Sequence, residues 1–259
     1  MYLIFLKFII LLIFSISFLP SQVNTEIMRD EEVEKTFSNQ LKLDFGYQTS
    51  ENEIFDLWLS GTSNYYLENN LHIFLILNYH NGYISKNETK EVILNRGFTH
   101  LRLTKRILPH INNVNIEFFL QTGFNDFILI KDRKLFGSGL RTKIIKKEDF
   151  KSFLGLGIMR ELEKYDLKTN SKELLFRQTS YATIIYQLSD NTYINNILYF
   201  QPSIKNMNDF RLLSENRMNF KINDVFSINI TIDYRYDNEP HGNSKKSYFQ
   251  INNGFEFDF

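Results

Sequence analysis

From Ser247 onward the chain alternates in twos. Phe249, Ile251, Phe255, Phe257 and Phe259 fall on one face, and Tyr248, Gln250, Asn252, Gly254, Glu256 and Asp258 on the other. A period of two with one greasy and one polar face predicts a β-strand. The same alternation recurs at Phe226, Ile228, Ile230, Ile232, Tyr234 and Tyr236, set against Ser227, Asn229, Thr231, Asp233, Arg235 and Asp237. Between 173 and 188, Phe176, Ala182, Ile184, Tyr186 and Leu188 oppose Arg177, Thr179, Tyr181, Thr183 and Gln187. Between 112 and 124, Val114, Ile116, Phe118 and Leu120 oppose Asn115, Glu117 and Gln121. The segment 71–80 is less regular, because Phe74 and Ile76 share a face with His72 and Asn78.

Read this way, the chain holds about twelve strands. They cover 39–49, 54–65, 71–80, 91–106, 112–124, 129–144, 150–163, 173–188, 191–202, 209–221, 225–237 and 246–259. In the second half, tight turns at Ser189–Asp190 and Ile222–Asp224 alternate with longer polar connections at 164–172, 203–208 and 238–245. Short turns on one side and long loops on the other are the habit of a transmembrane β-barrel, with both chain ends on the short-turn side. A soluble sandwich or lipocalin-like barrel also alternates, but seldom keeps so aromatic an outer face. The expected fold is therefore all-β, a closed antiparallel up-and-down transmembrane barrel. A one-residue shift exchanges lipid for lumen, so Ile230→Arg should harm far more than Thr231→Arg.

The N-terminus adds an address. Lys7 is followed by an uncharged run to Leu19, then Pro20 and Ser21, which reads as a secretory signal cleaved near Ser21. The expected organisation is a signal peptide over 1–21, a short periplasmic segment over 22–37 and the barrel over 38–259. The localisation that follows is the outer membrane of a Gram-negative bacterium. No cysteine is present, which excludes a lipoprotein anchor and a disulfide framework.

Charge narrows the partners. Lys and Arg number 30, Lys7 among them, against 30 Asp and Glu. No basic field exists to attract nucleic acid. Mean hydropathy is −0.29 despite 25 Phe and 14 Tyr, the balance expected where every second residue faces lumen or water. The expected partners are outer-membrane lipids and the barrel assembly machinery, with no metal and no cofactor. Phe255, Phe257 and Phe259 form the expected assembly signal at the end of the last strand.

Three stretches carry a family resemblance. The first is Phe98-Thr99-His100-Leu101-Arg102 with Glu117-Phe118-Phe119-Leu120-Gln121 and Phe124-Asn125. The second is Arg133, Leu135, Gly137-Ser138-Gly139-Leu140-Arg141, Gly155-Leu156-Gly157 and Glu161. The third is Asp209-Phe210-Arg211, Asp233-Tyr234-Arg235-Tyr236-Asp237, Pro240, Lys245-Lys246 and the aromatic ending. In order and spacing these resemble the salt-induced outer membrane proteins, the family of domain of unknown function 481. Ser247 departs from the pattern, where the family more often has Asp. The resemblance implies an outer-membrane barrel and transfers no catalytic residue.

The chemistry on offer is a set of inward charges. Arg211, Glu215 and Arg217 lie on one strand, Asp233, Arg235 and Asp237 on the next, and Glu256 and Asp258 on the last. Adjacent strands predict Arg–carboxylate pairs among them, with Arg133, Arg141, Arg160, Glu161 and Arg177 joining from elsewhere. Such a lumen is either an ion-selective constriction or a packed interior whose charges neutralise one another, as burial demands. Of the five histidines, His80, His110 and His241 fall in or beside connections, and none has a metal spacing. His100, near Arg102, is the best placed for a role, though a hydrogen-bonded wall residue is the simpler reading. Gly137-Ser138-Gly139 is not a nucleophile elbow, and its glycines relieve crowding. No enzyme activity is expected. The expected role is structural, envelope-stress related or that of a narrow pore. The alternatives are a barrel-embedded lipid-modifying enzyme and a soluble periplasmic binding barrel.

Overall fold

The computed structural model describes residues 37–49, 53–67, 70–86, 89–107, 114–167, 171–240 and 244–258. Twelve strands close into one antiparallel barrel in which each pairs with its sequence neighbours and the last returns to the first. They are β1 (Phe37–Thr49), β2 (Glu53–Leu67), β3 (Leu71–Lys86), β4 (Thr89–Arg106), β5 (Val114–Asn125) and β6 (Ile130–Lys146). The rest are β7 (Phe150–Tyr165), β8 (Lys172–Ser189), β9 (Thr192–Pro202), β10 (Phe210–Lys221), β11 (Phe226–Asp237) and β12 (Ser247–Asp258). A 3-10 turn, Asp126–Ile128, follows β5, and Leu129 after it takes a left-handed φ of 61°.

The two ends of the barrel differ. At the end where β1 begins and β12 finishes, β8 meets β9 and β10 meets β11 through tight turns. In the β10–β11 turn the Asn223 side chain accepts from the backbone N–H groups of Val225 and Phe226, 2.9 Å each. At the distal end lie the longer connections between β7 and β8, β9 and β10, and β11 and β12. Pro202 closes β9 at that rim, where no further ladder bond is asked of it.

The alternation separates two surfaces. Leu77, Leu120, Phe136, Leu156, Ile158, Ile184, Ile230, Phe249 and Phe255 project outward and are exposed. An apolar belt of this extent around a closed sheet is the surface a bilayer covers. The opposite positions face a lumen in which most side chains are buried, charged ones included. A closed barrel has no free edge strand, so the strands satisfy their backbones against neighbours, with β1 and β12 paired from Gln40–Asp258 to Leu43–Phe255 among the described residues.

Two expectations need correction. β3 and β4 run past their predicted ends, so His80 is a buried residue of β3 and not part of a connection. The uneven pattern of 71–80 has a physical cause: Phe74 and Ile76 point into the lumen beside His72, and Leu75, Leu77 and Tyr79 face out. His110, His241, Pro20, Pro109 and Phe259 lie outside the described residues.

Candidate functional site: a filled lumen

The lumen is built in layers. Toward the distal end sits an ionic knot. Arg211 on β10 donates Nη1 to Glu161 Oε2 at 2.8 Å and Nη2 to Glu163 Oε2 at 2.8 Å, reaching two acceptors on β7 across the barrel. Arg133 on β6 pairs with both glutamates, and its Nε stands 3.2 Å from Glu163 Oε1. Arg177 on β8 bonds Glu161 and forks onto Asp209, 2.9 and 3.1 Å from its two carboxylate oxygens. The Tyr165 hydroxyl donates to Glu163, and Asp237 lies 3.5 Å from Arg211 Nε. Glu161 and Glu163 are fully buried. Buried carboxylates are tolerated where bidentate arginines saturate them.

Below the knot the lumen turns apolar. Phe74 and Ile76 of β3 pack against Tyr181 of β8, Ile197 and Tyr199 of β9 and Leu213 of β10, with Phe98 alongside. β3 and β9 stand on opposite walls, so this layer spans the lumen. Phe119, Leu135 and Met159 form a second apolar group on β5, β6 and β7. Two inward glycines make room for the rings. Gly137 is the register partner of Phe119 and Gly155 that of Tyr181, and a Cβ on either would overlap the ring.

Polar groups stand beside this cluster and beyond it, Arg102 being the register partner of Phe74. Arg217 bonds Glu256 at 3.1 Å, and Asn219 donates to the same carboxylate at 2.9 Å. Tyr181 donates to Glu117 at 3.0 Å, and Arg102 lies 3.6 Å from that carboxylate. Arg141 stacks over Phe153 at 3.8 Å.

A third polar group lines the wall from β2 to β4 and reaches β12. Arg96 Nη2 donates to Gln250 Oε1 at 2.7 Å and to His80 Nδ1 at 3.0 Å, and its Nη1 donates to the Tyr248 hydroxyl at 3.1 Å. An arginine only donates, so His80 accepts at Nδ1 and carries its proton on Nε2, which faces Asp56 Oδ1 at 2.8 Å. Gln250 continues to Asn252 at 2.6 Å, and Asn252 to Asp233 at 3.3 Å.

The charges singled out from sequence are thus divided among these groups. Arg211 joins the knot with partners on β7, and Arg217 pairs with Glu256 on β12. Glu215 is buried, Asp233 accepts from Asn252, and Arg235 packs against the Tyr248 ring at 5.9 Å. Asp258 is the backbone register partner of Gln40. Among the added residues, Arg133, Glu161 and Arg177 enter the knot, whereas Arg160 is exposed on the outer wall over Phe176. Phe255 and Phe257 face outward against Phe226, centroids 5.8 and 5.2 Å away. His100 is buried, 3.4 Å from Gln121 and stacked on Phe119. Sequence reasoning passed over His80 and Arg96, and no spacing rule would have joined β4 to β12.

Fold and lumen together define a membrane-spanning β-barrel that packs its own interior. More particularly, the chain belongs to the family described as protein of unknown function, DUF481, which matches residues 21–259. No curated protein matches it. Among solved structures it is similar to the translocator domain of the autotransporter NalP from Neisseria meningitidis, at 9% identity, 88% of this chain, 90% of that one and TM-score 0.49. It is also similar to the NanC porin, at 8% identity, 85% and 97% coverage and TM-score 0.44. The KdgM porin in complex with disordered oligogalacturonate gives 10% identity, 86% and 99% coverage and TM-score 0.41. These proteins share too little with the chain for their activities to bear on it.

Proposed function

We propose that the protein is an outer-membrane barrel with its termini in the periplasm, serving the envelope as a structural element and neither conducting solutes nor catalysing a reaction. The observation that carries this reading is the apolar layer. Phe74 and Ile76 meet Tyr181, Ile197, Tyr199 and Leu213 from the opposite wall, and their polar register partners Arg102 and His100 are themselves buried, which supports a lumen filled too closely to pass hydrated ions. The ionic knot above it supports the same reading, since its carboxylates are matched by arginines and not held open to solvent. Such cross-lumen bonding braces a barrel against deformation, a property suited to an envelope under osmotic or salt stress. The outer belt takes up outer-membrane lipid, and Phe255 and Phe257 at the closing strand suit delivery by the assembly machinery. The test is planar-bilayer recording of the detergent-folded protein. The wild type should give no sustained conductance, and Phe74→Ala with Tyr199→Ala should produce steps. Steady ion-selective conductance of the wild type would overturn the reading in favour of a pore.

A further inference from the structure

One sector of the outer wall departs from the apolar belt. On β5, β9, β10 and β11 the outward positions hold no charged residue from end to end. Toward the distal end of β6 and β7 they hold Asp132, Lys134, Arg160 and Lys164. Lys164 is held by Asp132 at 2.7 Å. Lys134 and Arg160 are both exposed and make no ion pair among the described residues. Lys172, exposed on β8, is the register partner of Lys164 and adds to the positive field.

Register sets these cations on two neighbouring rows. The more distal row runs Thr99, Thr122, Lys134 and Leu162 across β4 to β7. The row beneath it runs Leu101, Leu120, Phe136 and Arg160, with Phe176 following on β8. Lys134 and Arg160 are therefore diagonal neighbours, about 7–8 Å apart along the sheet. A shallow groove on the outer wall follows both rows and is lined by both cations. Its floor is apolar, from Leu101 and Leu120 to Phe136, Leu162 and Leu174. Arg160 lies against the Phe176 ring at 5.9 Å.

A charge on a lipid-facing wall is unfavourable unless it reaches the headgroup level or meets a counter-charge. A stem that extends toward the distal rim brings the Arg160 guanidinium to the level of Lys134, with the hydroxyls of Thr99 and Thr122 in the same row. Guanidinium groups take phosphate oxygens in pairs, and basic clusters at a membrane surface hold anionic headgroups. We propose that this patch is a binding site for the phosphorylated sugar headgroup of an outer-leaflet glycolipid, lipid A. The phosphates would lie on Arg160 and Lys134, the sugar hydroxyls by Thr99 and Thr122, and an acyl chain along Leu101, Leu120 and Phe136. The charges are positive, face the bilayer and sit at the end away from the periplasm, which suits an anionic lipid of that leaflet. The proposal rests on the membrane placement above and adds a ligand to the outer wall.

The test titrates the detergent-folded protein with bis-phosphorylated lipid A and counts retained lipid by native mass spectrometry. Heat-modifiable gel mobility checks folding of the same preparation. Wild type should retain a single lipid A, and lipid A stripped of its phosphates should bind about tenfold more weakly. Lys134→Ala with Arg160→Ala should fold normally and weaken lipid A by about the same factor. Lys105→Ala, which removes an exposed cation at the opposite end of β4, should leave retention unchanged. Folded wild type without retained lipid A, equal retention of the stripped lipid, or undiminished retention by the double variant would overturn the proposal. So would equal affinity for phosphatidylglycerol, which would reduce the patch to a general attraction for anions. Absence of any heat-modifiable form would overturn the membrane placement, and the proposal with it, so the two failures are told apart on one gel.

Discussion

The Tyr181 ring occupies the space a side chain at Gly155 would need. The two are register partners on β8 and β7, and the glycine lets the ring lean across the lumen until its hydroxyl bonds Glu117 on β5. Gly155→Val should therefore displace the ring, break that bond and destabilise the barrel by about 1–3 kcal/mol. Gly61→Ala, where nothing lies within 4 Å of the new carbon, should be close to neutral. Urea unfolding of both variants in detergent, followed by heat-modifiable gel mobility, measures the difference.

The two walls of one strand give a second contrast. Ile230 is 41% exposed on the outer belt and Thr231 is 1% exposed within. Ile230→Arg should cost about 2–4 kcal/mol near the bilayer midplane. The milder effect expected of Thr231→Arg from alternation does not follow once the lumen is seen to be packed. Thr231 is the register partner of the buried Arg217, so a second arginine there adds both bulk and like charge. The informative inner variant is Thr231→Ser, expected to fold with little loss. Unfolding midpoints of the three variants check the assignment.

Buried charges should rank by their partners. Arg211 serves Glu161 and Glu163 together, so Arg211→Ala should remove about 3–5 kcal/mol, the cost of leaving such carboxylates buried and under-paired. Arg235→Ala should cost less, since Arg235 makes no ion pair among the described residues and stands 5.9 Å from the Tyr248 ring. Equal losses from the two substitutions, read by equilibrium unfolding, would count against the division of the lumen described above.

The His80–Arg96 bond offers a fourth test. Arg96→Met removes the link from β4 to β12 while keeping the bulk of the stem, and with it the tether behind the short β1–β12 pairing. Hydrogen exchange of β12 amides should speed up in this variant, and that of β6 and β7 should stay unchanged.

What could be read from the sequence was which way each residue faces. Alternation in 225–237 and 247–257 placed Ile230 outside and Thr231 inside because strand geometry alone decides that. It also supplied twelve strands and their order. Alternation does not say which inward residues meet. That depends on the stagger of the whole barrel, and it joins Arg211 to β7, Tyr181 to β5 and Arg96 to β12. Pairing charges by adjacency therefore grouped Arg211 with Glu215 and Asp233, when its acceptors are Glu161 and Glu163. Phe74 and Ile76 looked like breaks in a pattern because an inner face was expected to be polar, and a filled barrel needs an apolar layer.

The junction between β1 and β12, which holds four register pairs among the described residues, has a kinetic side. Every other neighbouring pair is a hairpin, formed between segments adjacent in the chain. This junction alone must bring together the two ends of the barrel sequence, whose closure entropy is the largest, and it gains the fewest ladder bonds in return. Contacts of this kind form after local ones. Eleven hairpin pairings can therefore assemble as an open, curling sheet, and the ring is completed in one late step at Leu41, Leu43, Phe255 and Phe257. The same place should be the first to part on heating, so that the barrel's lifetime would follow this one joint more than the average strength of its wall.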